Sequence, residues 1–553
     1  MHNALLVAEV FTYILECLAQ DTLHAPSLDV YTNGTGWGAL AALARTCHAL
    51  SDPAIDLLWR RLHSLEPLVQ CLRGVGVHHH DFDSDLPSFS DAERTRRAHR
   101  VRRLSVDSQS DRDLPPFSDE EWRTLQRYTP RVRELTIDKR SEELCFKVLR
   151  SLVFRTTLLL PNLRRLRFLC RENAAMAYIR PLLTPTITHL DVSFGVGYGS
   201  VVLDFLQGYH TLCPNLTSIR FHYQGMNTKI STAICRAQSL ESIDCGLIDD
   251  TALTHIARSL TLKKFSTQLY HIDSHRILRD IARDNSPDLP PFRNVKVINL
   301  HLGDLSFIIP FLKPHHQSFT DVSLTFFVTP TTAILHSFFS ALGSSTRQGS
   351  VRRVHLLQVH QSELDRRWVR PDHWQPLTYD SLCPLQSFTC LRELVLELDN
   401  PVSLEEENLM MLARAWPRLE VLQVNYRSGW RVDSSTDPVT LNGLVSLLRL
   451  CPMLCTLGLS FDAREVPLPS LDPLASTLQV PVPPSEPSEA SAQQGLWGIR
   501  NTRLKILNVS DSPIKDPTSV ARFLAEVFPS LIEVGIRNFH GAVDPSTSGV
   551  NRE

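Results

Sequence analysis

The sequence predicts an α/β protein in which three short helices precede a long array of strand, loop and helix units whose strands run parallel. Three observations carry that expectation. A short apolar phrase recurs from about residue 130 onward, the intervals between its copies have helical period, and prolines stand where helix gives way to strand. A chain of 553 residues exceeds what one ordinary core accommodates, so several units or one elongated array must share it.

The phrase is apolar-x-x-apolar-x-apolar. It reads VRELTI at 132, LRRLRF at 163, ITHLDV at 187, LTSIRF at 216, LESIDC at 240, VKVINL at 295, FTDVSL at 319, VRRVHL at 351, LRELVL at 391, LEVLQV at 419, LCTLGL at 454, LKILNV at 504 and LIEVGI at 531. Alternating apolar positions at its end, many of them β-branched or aliphatic, mark a short strand buried on one face. Between copies the period changes. Leu409, Leu412, Ala413 and Trp416, and likewise Val520, Phe523, Leu524 and Val527, fall at i, i+3, i+4 and i+7, the stripe of an amphipathic helix. Pro161, Pro214, Pro417, Pro452 and Pro529 each stand two residues before a strand's leading leucine. Proline cannot continue a helix and pushes the residue before it toward extended backbone, so the chain turns there and enters the strand in fixed register.

Strand, loop, helix and Pro-x-Leu in repetition resembles the leucine-rich-repeat family, although the Asn or Cys usual at the turn after the strand is mostly missing. The resemblance implies a solenoid with a curved parallel sheet lining its inner surface. An ordinary α/β domain with several parallel strands is the alternative. The array is expected over 131–540. It is interrupted at 466–495 by a Pro- and Ser-rich flexible insertion and followed by a disordered tail, 541–553. A polar, charged stretch makes 74–130 a linker and entry segment.

Residues 1–73 form the helical module. Leu6, Val10, Ile14 and Leu18 make one stripe, Leu40, Leu43, Cys47 and Leu50 a second, and Asp52-Pro53 reads as the cap and first turn of a third helix carrying Leu58 and Trp59. So small a module has a marginal core, which leaves apolar surface for a partner. Leu6-Val7-Ala8-Glu9, Ile14-Leu15, Cys47-His48-Ala49-Leu50 and Leu58-Trp59-Arg60 follow the order of an F-box, with Val7 where that family has proline and a longer interval between Cys17 and Gly38. Joined to the repeats, the chain resembles the fungal F-box proteins with carboxy-terminal leucine-rich repeats.

That resemblance implies the substrate receptor of a Skp-cullin-F-box ubiquitin ligase. The module would dock on the Skp adaptor and the array would present a protein target, acting by proximity rather than by chemistry. Adaptor-binding residues would be Leu6, Val10, Ile14, Leu15, Leu40, Leu43, Leu58 and Trp59, several of which could equally be plain core; Trp59 fits either role. An interaction scaffold without any ubiquitin link, its helices capping the array, is the competing reading.

Residues between the buried positions of each strand are expected on the concave face, where a target would meet Arg165, Arg167, Asp191, Arg220, Arg353, Glu393, Glu397 and Gln423. Their mixed charge suits a protein better than a phosphate backbone. A net charge of -2 gives no reason to expect nucleic acid, and no apolar run approaches the roughly 18 residues of a membrane span. No basic leader opens the chain and its twelve cysteines include no C-x-x-C pair, so a cytoplasmic or nuclear setting with reduced thiols is expected.

Signals for chemistry are poor. The Gly-rich stretch at 193–206 has Ser200 where a dinucleotide fingerprint needs glycine, and HHHD at 78–81 lacks the fixed geometry of a metal site. Neither enzymatic activity, cofactor nor metal is expected.

Overall fold

The computed structural model describes residues 13–17, 35–46, 48–72, 119–139, 141–152, 158–170, 173–195, 199–269, 280, 291–312, 319–346, 350–359, 375–426, 439–467 and 500–536. The fold is α/β and of leucine-rich-repeat type, parallel strands alternating with helices along the chain. Contacts divide it into two compact units, Met1–Ala252 and Leu253–Glu553. The helical module and the first repeats therefore share one unit.

In the first unit, β1 (Arg61–Leu62), β2 (Glu134–Ile137), β3 (Arg165–Phe168), β4 (His189–Ser193), β5 (Ser218–His222) and β6 (Ser242–Leu247) lie side by side in chain order, every adjacent pair parallel. The second unit repeats the plan with β7 (Lys264–Leu269), β8 (Val297–Leu302), β9 (Asp321–Phe326) and β10 (Arg353–Gln358). Two short strands, β11 (Leu377–Thr378) and β13 (Val402–Ser403), pair apart from the main ladder. That ladder continues through β12 (Glu393–Glu397), β14 (Val421–Val424), β15 (Thr456–Gly458), β16 (Ile506–Ser510) and β17 (Glu533–Ile536).

The six-residue phrase maps onto this geometry position by position. Its first, fourth and sixth residues are core: Val132, Leu135 and Ile137 in one copy, Leu163, Leu166 and Phe168 in the next, Leu391, Leu394 and Leu396 in the second unit. Its third and fifth residues stand on the opposite face, because side chains alternate along a strand. Parallel register then stacks like positions of successive copies. Arg167 lies beside Asp191, Asp191 beside Arg220, and Arg220 beside Asp244.

Each proline marks one recurring turn. The residue before it is buried (Leu160, Cys213, Trp416, Cys451, Phe528) and its carbonyl accepts a hydrogen bond from the leucine three residues on, at 3.1 to 3.2 Å in all five copies. In Cys213, Cys451 and Phe528 that residue also ends a helix, with φ near -120° and ψ near +68°, its N–H still bonded to the fourth carbonyl back. Proline two residues before the leading leucine prevents another helical turn, so strand entry is set by covalent geometry.

Four helices flank the start of the ladder: α1 (Thr35–Thr46), α2 (His48–Arg60), α3 (Glu66–Leu72) and α4 (Asp119–Tyr128). One sequence expectation changes here. The helix expected to begin at Asp52-Pro53 begins at His48, so Pro53 is the sixth residue of α2, beyond the first turn, and its missing N–H forgoes one hydrogen bond to the carbonyl four residues back. The end of the 74–130 linker and entry segment is α4, which packs against α3. Leu6 and Val10, the HHHD motif, residues 196–198 of the Gly-rich stretch, nearly all of the 466–495 insertion and the whole 541–553 tail lie outside the described residues.

Candidate interaction surfaces

The first surface is the helical end. Leu15, on a helical stretch at 13–17, and Leu40 of α1 are fully buried against each other's surroundings, with Trp37, Leu43, Leu50, Leu57 and Leu58 half-buried around them. Arg60 at the end of α2 donates to Glu16 at 3.2 Å, tying the stretch to α2. The neighbours of Leu15 face the other way: Tyr13 is 70% exposed and Ile14 38%. Of the residues expected at an adaptor face, Leu15 and Leu40 are core, Leu43 and Leu58 line the cluster, and Ile14 is open to solvent. Tyr13 was not expected there, since aromatic character alone does not say which side of so short a helix a residue takes.

Trp59 is turned elsewhere. Its ring stacks on Tyr128 of α4 with centroids 4.6 Å apart and planes 29° from parallel. Arg131, just beyond α4, donates to the carboxylates of Asp52, at 3.0 Å, and Asp56, fastening α2 from the same side. Directly after Trp59 and Arg60 the chain enters β1, in register with Glu134 and Leu135 of β2. Trp59 thus anchors the helices to the first repeats.

The second surface is the exposed face of the strands, taken unit by unit. In the first unit Asp191 is nearly buried and is reached by two arginines and a histidine: Arg167 Nε at 3.2 Å, His222 Nε2 at 2.8 Å and Arg220 Nη1 at 3.5 Å. Arg220 Nε also donates to Asp244 at 2.7 Å. Burial pushes the Asp191 carboxyl up, but the His222 hydrogen bond and the charges of His222, Arg220 and Arg167 together outweigh it and hold the pKa below the usual range. Arg165 has Glu134 at 4.0 Å and stands mostly in solvent.

In the second unit Arg353 of β10 donates to Asp321 of β9 and has Glu393 of β12 at 4.0 Å, while His355 lies 3.3 Å from the same Glu393. Burial would raise the Asp321 pKa, yet hydrogen bonds from Arg353 and Thr320 keep it low. Gln423 is half-buried on β14. Glu397, expected on the exposed face, is only 5% exposed: it ends β12, where the chain turns away from the sheet.

Sequence reasoning missed a buried polar chain at that turn. Gln358 donates to Asp399 and to Thr329, each at 2.7 Å. Asn400 donates to the carbonyls of Pro330 and Gln375. Asn425 accepts from the Leu398 N–H and donates to the Asn400 carbonyl, both at 2.8 Å. Asn425 has φ of 48°, a left-handed conformation that asparagine tolerates better than most residues. The signal was there in part, an Asn just past the apolar phrase at 425, but the spacing differs from copy to copy.

No protein-family model matches the chain, and no curated protein matches it. Among solved structures it is similar to the crystal structure of the Rad7 and Elc1 complex in yeast, at 15% identity and a TM-score of 0.36, over 65% of this chain and 78% of that one. A likeness of that size carries no argument about function.

Proposed function

We propose that the chain is the target-recognition subunit of a Skp-cullin-F-box ubiquitin ligase, holding the Skp adaptor at its helical end and a protein target on its strand face. The observation that carries this reading is the pairing of Leu15, fully buried, with Tyr13 and Ile14, exposed, on one short helical stretch. A small cluster that is half-covered on the inside and apolar on the outside gains from a second protein. Full burial of one large aliphatic side chain is worth about 1.5 to 3 kcal/mol. The face includes Tyr13 and Ile14 and extends to Leu43 and Leu58, and the F-box resemblance of Ile14-Leu15 and Leu58-Trp59-Arg60 supplies the class of partner. Leu6 and Val10 belong to the proposed face by sequence alone. No residue is assigned a chemical step; the subunit works by raising the local concentration of a target beside the ligase.

The scaffold reading has its own support. Trp59 on Tyr128, Arg131 on Asp52 and Asp56, and β1 on β2 make the helices a cap on the first repeats. Capping uses the Tyr128 side of α2, whereas docking would use Tyr13 and Ile14, so the two roles are compatible and only the adaptor separates the readings. Co-expression with a Skp adaptor tests it: the intact chain should retain the adaptor through purification, and Ile14→Asp should lose it with an unchanged thermal transition. Failure of the intact chain to retain adaptor contradicts the ligase reading and leaves the scaffold.

A further inference from the structure

The cations and anions on the strand face of the first unit do not stand at equal height. The side chains of Arg165 and Arg167 are each 54% exposed and that of Arg220 42%, while the acids between them are sunk, Asp191 at 11% and Glu134 at 28%. Arg164 on the strand-entry row and Arg61 on β1 add two more cations, and Asp244 one more anion. Solvent therefore meets more guanidinium than carboxylate, with Asp191 and Glu134 lying lowest and Asp244 33% exposed.

The spacing is regular. Arg165 and Arg167 lie two residues apart on β3, about 7 Å, and Arg167 and Arg220 lie two strands apart, about 10 Å. Arg167 is already held through Nε by Asp191, and Arg220 through Nε by Asp244 with its Nη1 3.5 Å from Asp191, so both guanidinium groups are oriented with little further loss of rotamer freedom, and the Arg167 Nη atoms and the Arg220 Nη2 face a ligand.

We infer that this arginine face receives an extended acidic segment of a protein, carboxylates at every second residue meeting Arg165 and Arg167 while a neighbouring acidic residue reaches Arg220. This rests on the reading of the chain as a target receptor and names the chemistry of the target. Alternate side chains of an extended segment recur at the 7 Å interval of the two β3 arginines. The excess of cations is small, because Glu134, Asp191 and Asp244 interleave with them. Dispersed single charges fit that pattern, and a continuous phosphodiester backbone would be repelled by the acids.

Fluorescence anisotropy on the intact chain tests this, using a labelled twelve-residue peptide of alternating Glu and Ser at low salt. The Glu peptide should bind about tenfold or more tightly than its Gln counterpart and weaken as salt is raised. Arg165→Gln, whose nearest acid among the described residues is Glu134 at 4.0 Å, should weaken it about threefold, and Arg165→Gln with Arg167→Gln about tenfold. Lys505→Gln, on the second unit, should leave it unchanged. Equal binding of the Glu and Gln peptides, or indifference to Arg165→Gln, overturns the inference. So does tighter binding of a phosphoserine version or of a uridine oligonucleotide, each pointing to a different ligand class. Adaptor retention measured on the same variants keeps the two proposals apart: loss of peptide binding with adaptor retained removes only the inference, and peptide binding without adaptor removes only the ligase.

Discussion

Asn425 shows what a single side chain contributes to this architecture. It is fully buried, both ends of its amide are used, and its backbone is left-handed. Asn425→Ala removes both hydrogen bonds and leaves the left-handed backbone without the polar side chain that makes it tolerable, an expected loss of about 3 kcal/mol in urea unfolding. Asn425→Gly relieves the backbone and should recover about 1 kcal/mol of that loss, separating conformation from bonding. Asp191 makes a second prediction, on pH. Its folded-state pKa is depressed below the ordinary 3.8, so its contribution is fully present above that value and disappears as the pH falls through the lower, folded one. The Asp191→Asn variant should therefore show a shallower loss of stability below about pH 4 than the parent, measured by thermal unfolding at stepped pH. Neither residue announced its role in the sequence. Asp191 reads as one more exposed strand residue until the register brings Arg167 to it from β3 and Arg220 and His222 from β5.

At the scale of elements, the strands were legible because their signal is local. The first, fourth and sixth positions of the phrase are core in copy after copy until the last, where Val534 is 46% exposed, and five prolines set the turn in front of their strands. The start of α2 was misjudged for a physical reason: Asp-Pro is a good helix opening, but the tertiary contacts of α2 outweigh the one hydrogen bond that an interior proline gives up, and the helix begins five residues earlier. Contacts such as Trp59 on Tyr128 were beyond reach, since the two rings are separated in sequence by residues 60–127 and no periodicity spans them. Trp59→Ala should lower the stability of the first unit by about 3 kcal/mol, read by hydrogen exchange in β1 and β2. Gly443 illustrates a tighter constraint. A Cβ there would meet the carboxylate of Glu406, which accepts from the N–H and hydroxyl of Thr440 at the start of the following helix. Gly443→Ala should displace Glu406, break its two hydrogen bonds from Thr440 and cost about 1 kcal/mol in thermal unfolding.

For the molecule as a whole, repetition gives two kinds of surface. The strand faces offer charge that is already partly matched, which favours selective, salt-sensitive contact. The helical end offers apolar side chains, Tyr13 and Ile14, beside a core too small to cover them. The sequence pointed to the second surface through the F-box resemblance, and the geometry limits it: Trp59 belongs to the anchor, and Leu15 and Leu40 to the core. The central claim is that the exposed side of the 13–17 helix is where a Skp adaptor sits. Amide hydrogen exchange of the intact chain with and without adaptor measures this most directly. The account predicts slowed exchange at 13–17 and in α1, with β7 to β17 unaffected; unchanged exchange throughout the helical end in the presence of saturating adaptor would contradict it.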